Sequence, residues 1–551
     1  MHLSSLSKNL VLSLVSILFT GLLFSQSLES KIDALISKQF KSNTTGLSVL
    51  VAKDGQPIYQ KAFGLANVEE DKPMTTNHVF EIGSITKQFT AVAILMLEER
   101  GKLKVTDTIT KYIPDYPMGS QPITIHHLLN HTSGIKSYTS IPTLRHIIKN
   151  ETSTTDLIDF FKNQPTDFLP GEKYKYNNSG YILLGYIIEV VSKQSYEDFI
   201  EKEIFEKLNM TSSYYGHRSE NITLRAKAYK QRNGEYQDAD FIHMSIPYAA
   251  GALMSTTSDM LIWNEALINN KLISKSSYDK ATNGSYLNDG KHIGYGYGLQ
   301  KKTLNGSPSI EHGGSIPGYK SMGVYLPEEN VYAIALSNCG CKSPTLLTRK
   351  IAAIAIDKPF LEVEDAISLN NEQLQKWTGA YEFDKKVVRH VIAEGNKIFI
   401  QKEGKGKMRI FPLTENTFFY KAGFPKCEFS TNEKGEKTIN IINEGKNNIG
   451  TEIDKAPPTE KKEVTVDTAI LKQYVGVYQL APNFTITITL EDAKLFAQAT
   501  NQSKFRLFAK NKNTFFLKVV EANVVFNSNE NNEVESLTLN QNGAHLGKKI
   551  K

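Results

Sequence analysis

The stretch FEIGSITKQFTAVAILMLEERGKL (80–103) decides how the first 358 residues of this chain are read. Its centre is nearly continuous in apolar residues and ends at Gly101, a natural C-terminal breaker, which predicts a long buried helix. Ser84 stands at the start of that helix and Lys87 three residues on, so both side chains lie on one face. A helix N-terminus also offers free backbone N–H groups to developing negative charge. A serine hydroxyl is a poor nucleophile until a base takes its proton, and a buried neutral lysine can contribute to that. Ser-x-x-Lys by itself recurs by chance in a chain this long, so it needs company.

Two later motifs supply it. Tyr176-Asn177-Asn178 lies inside PGEKYKYNNSGYILLGYIIE (170–189), just before a second strongly apolar helix. A tyrosine acts as a general base only if its pKa of about 10 falls toward 7, which needs about 4 kcal/mol of phenolate stabilisation. The Lys87 ammonium is the obvious source. Asn178 offers an amide to orient Lys87 and to grip a substrate. His312-Gly313-Gly314 lies within IEHGGSIPGYKS (310–321). Two glycines let a substrate backbone lie against a strand edge that a Cβ would obstruct. The N–H of Ser315 can pair with that of Ser84 as an oxyanion hole, where losing one donor typically costs about 3 kcal/mol.

The order S-x-x-K, Y-x-N, H-x-G is far more specific than any of its members. With LLNHTSGI (128–135), YAAGALMSTTSDM (248–260) and GYGYGLQ (294–300), it resembles the serine β-lactamase and penicillin-binding-protein superfamily, in its class C-like branch of S12-type serine hydrolases. The resemblance covers roughly residues 35–355. It implies an α/β fold of an antiparallel sheet flanked by helices plus a helical subdomain, with the site in the cleft between them. It also implies Ser84 as the acylated nucleophile and Lys87 and Tyr176 as its proton-transfer partners, either of which can be the acylation base. One departure stands out: relatives that bind β-lactams well carry lysine where this chain has His312. Lysine is a permanent cation at pH 7 and histidine is mostly neutral. The histidine resembles D-aminopeptidases and esterase-like members. The implied activity is hydrolysis of small D-amino-acid-containing peptides or amides. Carboxylesterase, weak β-lactamase and a non-hydrolysing penicillin sensor are the alternatives.

Outward from these motifs, LSVLVAKDGQPIYQKAFGLAN (47–67) alternates apolar and polar residues around Asp54-Gly55, a hairpin signature, and YAIALSNCG (332–340) returns to strand character. The expected catalytic domain spans residues 28–358. Beyond it an internal repeat appears at an offset of 97, aligning LQKWTGAYEF at Leu374 with LKQYVGVYQL at Leu471 and NTFFYK (416–421) with NTFFLK (513–518). Both copies, 371–450 and 467–551, alternate in strand fashion, and each is read as a small antiparallel β module, in shape similar to the lipocalin-like barrels that follow some S12 peptidases. TEIDKAPPTEKKEVTV (451–466) is read as the linker, and Trp377 and Tyr474 as equivalent core aromatics.

Composition narrows the class further. Hydrophobic residues make up 40% and charged residues 22%, as in folded soluble proteins. The net charge of +6 is too thin for a nucleic-acid binder. It lies wholly beyond residue 370, where 27 basic residues face 21 acidic ones. Lys8, the apolar run Leu10–Phe24 and the small Ser25 and Ser27 read as a secretory signal peptide over 1–25, so the mature protein is expected in the periplasm or outside the cell, with no membrane span. Three cysteines build no disulfide framework, and Cys339-Gly340-Cys341 is read as two plain thiols at a strand end. His126, His127 and His131 have no cysteine or carboxylate beside them to complete a metal site. No motif implies a cofactor; the expected partner is a small-molecule or peptide substrate, and oligomeric state is not written in the sequence.

Overall fold

The computed structural model describes residues 28–117, 119–216, 222–421, 425–443, 445–457, 463–482, 484–500, 502–520, 522–541 and 543–551. The segment read as a signal peptide lies outside them. The chain divides into two compact units, residues 1–360 and 361–551.

The first unit is built on a six-stranded antiparallel sheet. Its order is Gln300–Leu304, Ser307–Ile316, Tyr319–Leu326, Val331–Ser337, Leu47–Lys53 and Gln56–Phe63. The strand near the N-terminus is inserted beside the last strand of the unit, with Leu47 opposite Ser337 and Lys53 opposite Val331. Both are buried along nearly their whole length because helices cover both faces. Thr257–Ile268 and Thr345–Ala355 pack on these two strands. The hairpin at Asp54-Gly55 has φ of 51° and 74°, and two positive values in a row are what a type I′ turn requires.

The helical region is centred on Thr86–Glu99, in which every residue from Thr86 to Leu97 is buried. A helix apolar all round must be enclosed on every side. Ser179–Ser192 and the short Tyr248–Gly251 pack against it. The helix ends where Gly101 turns with φ of 67°. At its other end a 3-10 turn, Gly83–Ile85, carries Ser84, and the α-helix proper starts at Thr86. The sheet and helical region meet because Gln300–Leu304 pairs its neighbour only as far as Glu311. The edge from His312 to Ile316 is left uncovered, and the Ser84 turn lies against it.

The second unit holds two up-and-down β modules. The first is a closed barrel of eight strands, from Gly379–Phe383 to Lys446–Ile453, which closes by pairing Tyr381 with Glu452. Thr451–Ile453 of this last strand fall inside the stretch read as linker. The second module has nine strands, because the strand equivalent to Met408–Pro412 is split at Leu507 into Phe505–Arg506 and Phe508–Ala509. Trp377 and Tyr474 both lie in the apolar cores, stacked on Phe429 and Phe526.

One reading is corrected. Cys339 and Cys341 are joined in a disulfide. The tight turn through Gly340, held by its N–H to the Tyr229 carbonyl at 2.9 Å, brings their Cα atoms to 5.1 Å, within disulfide range. A spacing of one residue in an extended strand would have held the two sulfurs apart.

Candidate active site

Ser84 is placed by a close approach of two backbones. Gly83 has φ of 52°, and a Cβ there would sit 2.8 Å from the Ser315 nitrogen. A Cβ on Gly314 would sit 1.9 Å from the Ile82 carbonyl oxygen and 2.2 Å from Ser321 Oγ. Gly314 is therefore required by the chain's own Ile82-Gly83 backbone, a different reason from the substrate clearance that the sequence suggests. Gly313 is looser, with Ser321 O at 3.3 Å from the position of a Cβ. The result sets the Ser84 turn directly beside Ser315.

Lys87 is completely buried. Its Nζ stands 3.2 Å from Ser84 Oγ and donates to Asn178 Oδ1 at 2.9 Å and the Ala250 carbonyl at 2.7 Å, which leaves the lone pair of the neutral amine for the serine hydroxyl. No carboxylate among the described residues pairs with it. Burial without a counter-charge disfavours the ammonium and holds its pKa well below lysine's usual range. Asn178 is fixed in turn, its Nδ2 donating to Thr139 Oγ1 at 3.2 Å and its backbone N–H to Ser137 Oγ at 3.3 Å.

Tyr176 is brought to the same place with the opposite electrostatics to those expected. Its hydroxyl is shut from solvent and closes no hydrogen bond of ordinary geometry among the described residues. Burial pushes its pKa upward, and Ser84 offsets part of that. Lys87 Nζ stands 4.9 Å from the ring centroid, over the face of the ring. A neutral lysine beside a neutral tyrosine supplies no phenolate, because both charged forms would have to be desolvated.

His312 is also buried, 3% exposed. Its Nδ1 donates to the Gly313 carbonyl at 2.7 Å, which leaves Nε2 to accept from the Tyr295 hydroxyl at 3.0 Å. Burial brings its pKa down to about 3. The ring is neutral at physiological pH, and both nitrogens are engaged inside the protein.

Two residues of this cluster were not singled out from the sequence as part of it. His131 packs its ring 4.3 Å from Tyr176, 4.5 Å from Tyr295 and 5.2 Å from Tyr181. Its Nδ1 accepts from the Asn177 N–H at 3.1 Å, and its buried Nε2 has no partner among the described residues. Tyr295 bridges His131 and His312. The signal was present in LLNHTSGI and GYGYGLQ, segments that support the family resemblance but whose place beside Tyr176 only the fold shows. His126 turns instead to Tyr297 and Asn130, and His127 to Thr124, so the three histidines serve separate local contacts.

A half-buried serine and a buried lysine at a helix N-terminus, faced by a tyrosine and an uncovered strand edge, define a serine hydrolase of the β-lactamase and penicillin-binding type. The β-lactamase family matches residues 30–355, and this chain belongs to it. Residues 460–549 match a domain of unknown function (DUF3471). The chain is similar to penicillin-binding protein 4* of Bacillus subtilis (strain 168), with 29% identity over 423 residues, 72% of this chain and 93% of that protein. The putative penicillin-binding protein PbpX of the same organism is 31% identical over 307 residues, 55% of this chain and 73% of that protein. Among solved structures, the octameric penicillin-binding protein homologue from Pyrococcus abyssi superposes with a TM-score of 0.54 at 28% identity, covering 77% of this chain and 99% of that one. No helix of the described residues is long and apolar enough to cross a membrane.

Proposed function

We propose that this protein is an exported serine hydrolase that works through an acyl-enzyme at Ser84 and cleaves amide bonds of small peptides containing D-amino acids. The observation that carries the reading is the Lys87 amine, fully buried, uncompensated by any carboxylate among the described residues and 3.2 Å from Ser84 Oγ. A lysine held neutral at pH 7 has a lone pair for the serine proton. Lys87 takes that proton as Ser84 Oγ bonds to the substrate carbonyl carbon. The oxygen's developing charge is met by the N–H groups of Ser84 and Ser315, across the Gly83–Ser315 contact.

Tyr176 acts as a neutral hydroxyl, passing the proton from Lys87 to the leaving nitrogen as the C–N bond breaks. Asn178 and the Ala250 carbonyl keep Lys87 aimed at Ser84. Water then adds to the ester carbonyl and gives its proton to Lys87, which passes it to Ser84 Oγ as the acyl C–O bond breaks, releasing the acid and the free serine. His312 orients the site through Tyr295 and Gly313 and carries no charge. The D-amino-acid preference rests on the similarity to penicillin-binding proteins and on motifs similar to those of D-aminopeptidases. Export rests on the N-terminal sequence.

The test is intact mass after reaction with a labelled fluorophosphonate, beside a Ser84→Ala control, followed by turnover of D- and L-amino acid amides. A single adduct lost in the control, with D over L selectivity, supports the proposal. An inert folded wild type overturns it.

A further inference from the structure

We propose that Lys320 is the residue through which this protein selects a substrate bearing a negatively charged group; this rests on the serine-hydrolase reading above. The third motif carries a neutral His312 with both ring nitrogens engaged, so it presents no cation to a substrate. The neighbouring strand does. Lys320 is the register partner of Ser315, and its Nζ donates to Ser315 Oγ at 2.5 Å. The Ser315 backbone nitrogen lies against Gly83, the residue before the nucleophile. The ammonium therefore sits one side chain away from the backbone that flanks Ser84.

Three facts make this lysine available. It is part-exposed, and no carboxylate among the described residues lies within ion-pair distance of it. It opens on a groove of about 410 Å³ that Lys230, Asp240, Ser315, Pro317 and Gly318 also line. In that groove Lys230 and Asp240 pair with each other at 2.5 Å, which leaves Lys320 as the uncompensated charge. An ammonium has three donors and Ser315 takes one, so two remain for an anion. A carboxylate on the substrate, placed beside the scissile bond, would accept them. Because the lysine is part-exposed, one such charge-assisted contact is worth about a tenfold preference rather than an absolute one.

Two ligands differing only in that charge test it: D-alanyl-D-alanine and its C-terminal amide, bound to full-length Ser84→Ala protein and followed by calorimetry. The acid should bind about tenfold more tightly than the amide. Lys320→Met, added to Ser84→Ala, should erase that preference while leaving amide binding in place, and Lys320→Arg should retain it. No preference for the acid, including no binding of it, overturns the inference, as does a preference that survives Lys320→Met. Turnover by the wild type is read separately. Binding preference without turnover of any amide or ester overturns the hydrolase reading and leaves the anion site standing, whereas turnover without a Lys320-dependent preference does the reverse.

Discussion

The aromatic cores of the two barrels and the Ser84 site of the first unit handle their polar groups differently. In the barrels the same contacts are made twice, at the repeat offset. Trp377 Nε1 donates to the Glu415 carbonyl at 2.7 Å, and Tyr474 donates to the Lys512 carbonyl at 3.0 Å. Tyr381 and Tyr478 donate to the Trp377 and Tyr474 carbonyls, both at 2.8 Å. Asn416 and Asn513 each cap the strand opposite, at Phe429 and Phe526. In the first unit Lys87 is buried with no carboxylate beside it among the described residues, and the Tyr176 hydroxyl and His131 Nε2 next to it close no hydrogen bond of ordinary geometry there. A core built for stability satisfies its polar atoms locally, and a site keeps some unsatisfied for a substrate to complete.

That contrast is open to attack from both sides. Ser84→Ala should remove turnover by about 10⁴-fold or more while shifting unfolding free energy by less than about 0.5 kcal/mol. A large loss of stability in that variant would mean Ser84 is part of the packing. Trp377→Ala should do the opposite, lowering stability by about 3–5 kcal/mol in a denaturant titration, and Tyr474→Ala should come close to it if the two copies are equivalent.

Lys87 gives the comparison its pH dependence. Its pKa is lowered in the folded state, so between that value and about 10.4 the unfolded chain binds a proton that the folded one does not. Stability of the wild type relative to Lys87→Met should therefore rise with pH across that window, by up to about 1.4 kcal/mol per pH unit. A flat difference would show that Lys87 is charged in the fold. His312, with a pKa of about 3, should leave no inflection near pH 6.5 in kcat/KM; one that vanishes in His312→Asn would contradict its neutrality. The smallest effect separates the barrels themselves: amides next to Leu507, where the strand splits, should exchange hydrogen faster than those next to Ile410 in the closed copy.

Much of this was legible in the sequence because it is local or periodic. The apolar run after Ser84 is the enclosed helix, Asp54-Gly55 is the hairpin turn, and matched strings 97 residues apart are matched strands. Ser84 and Lys87 meet through helical spacing alone. What failed to show was environment. The sequence reading charged Lys87 to activate Tyr176, but burial discourages both charges, and burial belongs to the whole fold. The Cys339–Cys341 link escaped for a related reason, since it depends on a turn pinned by Tyr229, more than 100 residues away.

By itself, the sequence determined which residue types could do chemistry and how they are spaced along helix and strand, because spacing acts through the covalent chain. Tertiary structure alone decided the protonation of Lys87, Tyr176 and His312, the reason for Gly314, the membership of His131 and Tyr295, and the placement of Lys320 beside Ser315. Each of those depends on what distant segments bring close or exclude, and dielectric and contact have no representation in the order of residues.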